Sequence, residues 1–127
     1  MKTILVDAVL TFVSEDGVIF DEMYKLLETF PNKKIILTNA ADDKFEVYVL
    51  NKMPYPVFTL KHNPEKTDPK YFEVLLANFN LTPDQVVYFE RNPDAVKSAE
   101  SVGIKSYFYD KNKKDLVGLK EFLDSNL

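Results

Sequence analysis

Five short apolar runs, each followed by a polar break and then by a helical period, occupy the chain from end to end. Near-continuous apolar runs of this length are typical of strands buried on both faces of a parallel sheet. The apolar residues between them recur at the spacing of amphipathic helices, and one of these helical periods joins Phe45 to Val49. The sequence therefore predicts an α/β domain with a five-stranded parallel sheet, whose strands are residues 3–6, 34–37, 57–60, 86–89 and 105–109.

Turn and capping residues support this division of the chain. Asp68-Pro69 and Asn92-Pro93 each place an N-cap residue before a proline at the first helical position. Gly103 stands where a helix commonly ends in a left-handed residue. Between residues 11 and 19, Asp16-Gly17 separates two groups of β-forming residues, which predicts a small β-hairpin flap after the first strand.

Length and composition limit the chemistry that such a fold can carry. The 127 residues are enough for a single domain, residues 1–127, and a net charge of -4 argues against a nucleic-acid partner. The chain has no cysteine and one histidine, so thiolate chemistry and multi-histidine metal sites are excluded. No apolar run reaches the ~18 residues of a membrane span and no signal peptide opens the chain, so we expect a cytoplasmic protein without a membrane partner.

Polar residues follow the predicted strands at the edge where ligands bind in such sheets. Asp7 ends the first strand, Thr38-Asn39 end the second, and Glu90-Arg91 end the fourth. Lys66 follows the third strand, with Lys61 as a rival for the same role. Carboxylate, hydroxyl and amine groups beside helix N-termini favour a phosphate site at this edge. A plainer alternative for Glu90-Arg91 is a surface ion pair.

Four segments in order resemble the motifs of the haloacid dehalogenase (HAD) superfamily, and the resemblance covers nearly the whole chain. The segments are Asp7-Ala8-Val9-Leu10-Thr11, Leu37-Thr38-Asn39-Ala40, residues 66–73 and residues 87–96. This resemblance implies a three-layer Rossmann-like core. It also implies a nucleophilic Asp7 that attacks a phosphoryl group, whose oxygens are held by Thr38 and Lys66.

Two more residues at the same edge are expected to contribute to binding. Asn39 and Arg91 would join Thr38 and Lys66 in binding the substrate. A Mg²⁺ ion, if one binds, would be held by Asp7, by the main-chain carbonyl of Val9 and by Glu90.

Two residues depart from the superfamily pattern. Val9 stands where the acid/base aspartate belongs, and the loss of a positioned general acid lowers rates by about 10²–10⁴. Arg91 stands where a metal-binding carboxylate is usual, so its charge would compete with Mg²⁺. Arg91 would then either weaken metal binding or replace the metal and pair with Asp7. We therefore expect a phosphatase-like protein with weakened catalysis.

The spacing of the motifs leaves no room for a cap domain, since Thr38 follows Asp7 by 31 positions and Lys66 follows Thr38 by 28. An open site of this kind suits a phosphorylated small molecule or a phosphorylated protein. The alternative is a non-catalytic protein that binds a phosphorylated ligand or a protein partner through the same edge. A metal-independent dehalogenase is a minor alternative, because that branch also keeps the first aspartate without the second.

Overall fold

The computed structural model describes residues 1–45 and 47–127. Five strands and five α-helices alternate along the chain, with a short 3₁₀ turn before β3 and another before β4. The strands are β1 (Thr3–Asp7), β2 (Lys34–Thr38), β3 (Val57–Thr59), β4 (Val86–Glu90) and β5 (Lys105–Phe108). The helices are α1 (Asp21–Glu28), α2 (Asp42–Phe45), α3 (Pro69–Phe79), α4 (Pro93–Ser101) and α5 (Leu116–Asn126).

The strands form one parallel sheet in the order β3-β2-β1-β4-β5. This arrangement confirms the α/β fold and the five strands predicted from the apolar runs. Strands β1, β2 and β4 each extend one residue beyond their apolar run, while β3 and β5 each stop one residue short of it. The extensions are polar residues, Asp7, Thr38 and Glu90, which the central position of these strands buries.

Both faces of the sheet are covered, which gives three layers. Because side chains alternate across a strand, Ile4 and Val6 of β1 face one core while Leu5 faces the other. Helices α1 and α5 pack on the first face, and α3 and α4 pack on the second. The apolar runs of the three central strands are near-continuous because each of these strands fills two cores.

The structure confirms the predicted helix caps and the flap, but one predicted helical period is wrong. Asp68 and Asn92 cap α3 and α4 by accepting hydrogen bonds from main-chain N–H groups two residues on, as expected. The flap is present, although Val13 and Ile19 supply its only antiparallel bridge within the described ranges. The helical period that joined Phe45 to Val49 is wrong, because Val49 has a left-handed backbone with a φ of 54°.

The segments between the motif residues hold only small elements in the part of the chain that the structure describes. The flap and α1 lie between β1 and β2, and α2, a 3₁₀ turn and β3 lie between Thr38 and Lys66. None of the described helices is long and apolar enough to cross a membrane.

Candidate active site

The carboxyl ends of the three central strands bring the predicted site residues together. Strand β1 lies between β2 and β4, so Asp7 stands between Thr38 and Glu90 at one edge of the sheet. The side chains of all three are buried, although each is polar. Buried polar groups need partners, and here each of them has one.

Asp7 is held at both carboxylate oxygens. Its Oδ1 accepts a hydrogen bond from Nζ of Lys66 at 2.6 Å, and its Oδ2 accepts one from the Thr11 hydroxyl at 2.6 Å. The main-chain N–H of Arg91 lies 3.3 Å from the same Oδ2. Leu10 adopts a left-handed φ of 68° in the turn that returns Thr11 to Asp7, a strained conformation of the kind that clusters at functional sites.

Lys66 is the cation between two buried carboxylates. Its Nζ lies 2.6 Å from Asp7 and 2.8 Å from Glu90, and only 7% of the residue is exposed. Its main-chain N–H donates to the Asn39 side chain, which fixes the segment before α3. The rival Lys61 is exposed and pairs with Asp42 instead, so the structure places Lys66, and not Lys61, beside Asp7.

Asp7, Lys66 and Glu90 shift one another's pKa values. Burial opposes the ionised form of Asp7, but the ammonium of Lys66 and the hydrogen bonds to the carboxylate hold the pKa of Asp7 below its usual value. Burial also opposes the charge of Lys66, yet the Asp7 and Glu90 carboxylates keep the pKa of Lys66 above its usual value. Burial and the neighbouring Asp7 charge raise the pKa of Glu90 to about 7.

Glu90 is an interior residue and not half of a surface ion pair. It is 1% exposed, and its Oε1 accepts hydrogen bonds from Lys66 and from the Tyr88 hydroxyl. Its Oε2 accepts from the main-chain N–H of Asn92. The surface-pair alternative for Glu90-Arg91 is therefore wrong, because strand β4 turns Glu90 inward.

Arg91 reaches across the site to the turn after β1. Its Nε donates a hydrogen bond to the main-chain oxygen of Val9 at 2.9 Å and lies 3.9 Å from Oδ2 of Asp7. The pairing of Arg91 with Asp7 that we expected as one option is thus a loose ion pair. The short ion pair with Asp7 is made by Lys66 and not by Arg91.

An open pocket of about 300 Å³ lies over these groups. Every predicted site residue lines it: Asp7, Val9, Thr38, Asn39, Lys66, Glu90 and Arg91. Lys44, Tyr48 and His62 also line the pocket, and no motif in the sequence indicates this. His62 is exposed and its ring contacts Glu65, yet it also stands at the pocket wall.

Thr38 accepts one hydrogen bond at its hydroxyl oxygen and another at its main-chain carbonyl. Its hydroxyl oxygen accepts a hydrogen bond from the N–H of Ala40, and its carbonyl accepts one from the buried Tyr71 hydroxyl. The Thr38 hydroxyl proton is left for a ligand oxygen, because the hydrogen bond to Ala40 uses only a lone pair.

The donor set at the predicted metal position does not fit Mg²⁺. Mg²⁺ requires near-octahedral oxygen ligands, several of them water. Here the Val9 carbonyl accepts from Arg91, and both oxygens of Asp7 and of Glu90 accept hydrogen bonds from the protein. Among the residues described, no three His, Cys, Asp or Glu side chains gather as a metal-binding group.

Comparison with known proteins gives structural likeness only. No family model matches the sequence, and no curated protein does. A HAD family enzyme from Bacteroides thetaiotaomicron, solved with magnesium and inorganic phosphate, superposes with a TM-score of 0.75 at 12% identity over 94% of this chain and 98% of that one.

Two further solved structures are similar. The core domain of a candidate phosphoglycolate phosphatase from Streptococcus pneumoniae has a TM-score of 0.64 at 14% identity, over 98% of this chain and 96% of that one. A haloacid dehalogenase-like protein of unknown function from Agrobacterium tumefaciens has a TM-score of 0.61 at 17% identity, over 84% of this chain and 61% of that one. At these identities the likeness shows a shared fold.

Proposed function

We propose that this chain, which has the fold of the haloacid dehalogenase superfamily, is a weak phosphohydrolase that binds a phosphoryl group over Asp7 and transfers it to that carboxylate. One observation carries the proposal: the ionised, buried Asp7 lies at an open pocket whose walls also present Thr38, Lys66 and Arg91. A phosphorylated small molecule or a phosphorylated protein side chain is the ligand class that this pocket suits.

The charges around the pocket favour a phosphoryl anion. Lys66 balances Asp7, and Glu90 carries only part of a charge near pH 7 because its pKa is about 7. Arg91 and Lys44 then leave the lining with positive charge. Hydrogen bonds from cations to phosphate oxygens are stronger than those from neutral donors, so binding energy would come mainly from Lys66 and Arg91.

The proposed reaction has two steps. An oxygen of Asp7 attacks phosphorus, the bond from phosphorus to the leaving-group oxygen breaks, and the leaving group departs with that electron pair. A water oxygen then attacks the phosphorus of the aspartyl phosphate, which releases phosphate, restores the Asp7 carboxylate and gives up the water proton to solvent.

Val9 determines which leaving groups are feasible. An isopropyl side chain cannot protonate a departing alkoxide, so the leaving group must carry its own negative charge. Turnover should therefore be limited to activated phosphates such as aryl esters with acidic phenols, and other esters should react about 10²–10⁴ more slowly than with a positioned acid.

A second candidate is a protein that binds the phosphoryl group without turnover. The observation favouring it is that both oxygens of Asp7 accept short hydrogen bonds, from Lys66 and from Thr11. An oxygen must loosen one of these bonds before it can attack phosphorus. The same residues would then act as a binding site alone.

The deciding experiment compares the wild type with Asp7→Asn on an activated aryl phosphate. The phosphohydrolase proposal predicts measurable release of the phenol by the wild type and background release by Asp7→Asn, whereas equal signals would refute it. Inorganic phosphate binding by calorimetry separates the second candidate, because a binder shows saturable heat without turnover. Asp124→Asn, at an exposed position of α5, controls for the loss of one carboxylate charge.

A further inference from the structure

The chain contains one arginine, Arg91, among its 16 basic residues, and that arginine lies at the pocket. Its Nε is anchored to the Val9 carbonyl at 2.9 Å, and 31% of its side chain is exposed. Among the described residues neither terminal Nη nitrogen makes a hydrogen bond. The guanidinium is therefore fixed at one nitrogen and has two donor groups left for a ligand.

We propose that Arg91 does the work of a divalent cation, so that the pocket binds a phosphoryl group without Mg²⁺. This inference rests on the proposed function and names the group that supplies the positive charge. The Arg91 guanidinium contacts the Val9 carbonyl and stands 3.9 Å from Asp7, and these are two of the three groups predicted to hold the metal.

Electrostatics explain why a built-in cation is needed. A phosphoryl dianion that approaches Asp7 meets two carboxyl groups there, those of Asp7 and Glu90, and the Asp7 carboxylate repels it. Lys66 is already shared between the two carboxylates, at 2.6 and 2.8 Å. Arg91 provides a permanent further charge, because a guanidinium does not lose its proton in a protein.

The shape of the side chain explains why the residue is an arginine. A guanidinium can hold the Val9 carbonyl with Nε while both Nη groups bind two phosphoryl oxygens. A lysine has a single nitrogen and cannot serve both partners in this geometry. Arg91→Lys should therefore keep the charge but lose much of the affinity for phosphate.

The test is calorimetric titration of inorganic phosphate into the full chain, in buffer with a chelator and in buffer with Mg²⁺. Titration of Mg²⁺ alone is the third measurement. We expect the same phosphate affinity in both buffers and no saturable heat from Mg²⁺ alone. Arg91→Met should weaken phosphate binding by roughly ten- to a hundredfold, and Arg91→Lys by roughly tenfold. Lys120→Met should bind like the wild type, and thermal unfolding checks that each variant folds.

Each result has a distinct meaning. Tenfold or greater tightening of wild-type phosphate binding by Mg²⁺ would overturn the inference and leave the proposed function standing. Unchanged affinity in folded Arg91→Met would also overturn it. No phosphate binding by the wild type in either buffer would overturn the proposed function itself. Mg²⁺-dependent phosphate binding that appears only in Arg91→Asp would support the inference, because the substitution exchanges the cation for a metal ligand.

Discussion

Among the described residues, Lys66 is the single cation in short contact with both buried carboxylates, so its removal should destabilise the fold strongly. Lys66→Met leaves Asp7 and Glu90 buried, with Nε of Arg91 at 3.9 Å from Asp7. Breaking a buried ion pair at one partner costs about 3–5 kcal/mol. Since domains of this size are stable by about 5–15 kcal/mol, the effect should be plain in urea unfolding at pH 8.

The loss of stability in Lys66→Met should depend on pH, because protonation of Glu90 removes part of the uncompensated negative charge. The pKa of Glu90 is raised to about 7 by burial, and removal of Lys66 should raise it further. We therefore expect a smaller destabilisation at pH 5 than at pH 8. Adding Glu90→Gln to Lys66→Met should recover part of the loss at pH 8.

Lys120→Met is the matched control for this experiment. Its Nζ lies 2.6 Å from Asp124, as close as Lys66 lies to Asp7, but both partners are at least half exposed. Exposed pairs contribute under about 1 kcal/mol, so Lys120→Met should change the free energy of unfolding by no more than that. Equal losses of unfolding free energy in the two variants would show that burial does not strengthen the Lys66 ion pairs. A Lys66→Met loss that does not vary with pH would show that the charge of Glu90 does not contribute to it.

Three further predictions concern pH, a helix cap and the flap. The free energy of unfolding should fall by up to about 3 kcal/mol as pH rises from about 4.5 to about 7, because folded Glu90 binds its proton more tightly than the unfolded chain does; Glu90→Gln should flatten this slope in urea titrations. Asp68→Ala should cost about 1 kcal/mol in thermal unfolding, since Asp68 caps α3, and an unchanged Tm would contradict that role. Gly17→Ala should cost about 1–3 kcal/mol, because Gly17 has a φ of 81° and a Cβ there would stand 2.4 Å from Val49; a neutral result would show that the flap adjusts freely.

The sequence was sufficient to predict the fold because its three central strands are buried on both faces. A strand such as residues 86–89 must be apolar at every position, and this makes the run visible without any alignment. The caps at Asp68 and Asn92 were readable because each satisfies N–H groups through a local contact. Patterns of this kind depend on neighbours along the chain.

The features that escaped prediction depend on distant contacts. Arg91 binds the carbonyl of Val9, 82 positions away, and no local pattern shows which carbonyl a long side chain will reach. Glu90 beside Arg91 has the composition of a surface pair, and only the packing of β4 buries it. Val49 was assigned to a helix by its spacing, but tertiary structure places it in a left-handed conformation.

Thr11 is a residue whose contact with Asp7 could have been anticipated. It follows Asp7 by four positions, and a tight turn after a strand returns such a hydroxyl to the carboxylate. The main-chain bonds from Thr11 and Phe12 to the Ala8 carbonyl form that turn. A hydroxyl residue four positions after an aspartate at a strand end therefore indicates that the carboxylate accepts a hydrogen bond from that hydroxyl.

A crystal structure grown with both Mg²⁺ and inorganic phosphate would show whether Arg91 or a metal ion binds the phosphoryl oxygens in the pocket. We expect phosphate in the pocket, bound by Thr38, Lys66 and the Nη groups of Arg91, with Nε of Arg91 still bonded to the Val9 carbonyl. A metal ion bound between Asp7 and Glu90, with Arg91 displaced from Val9, would contradict it.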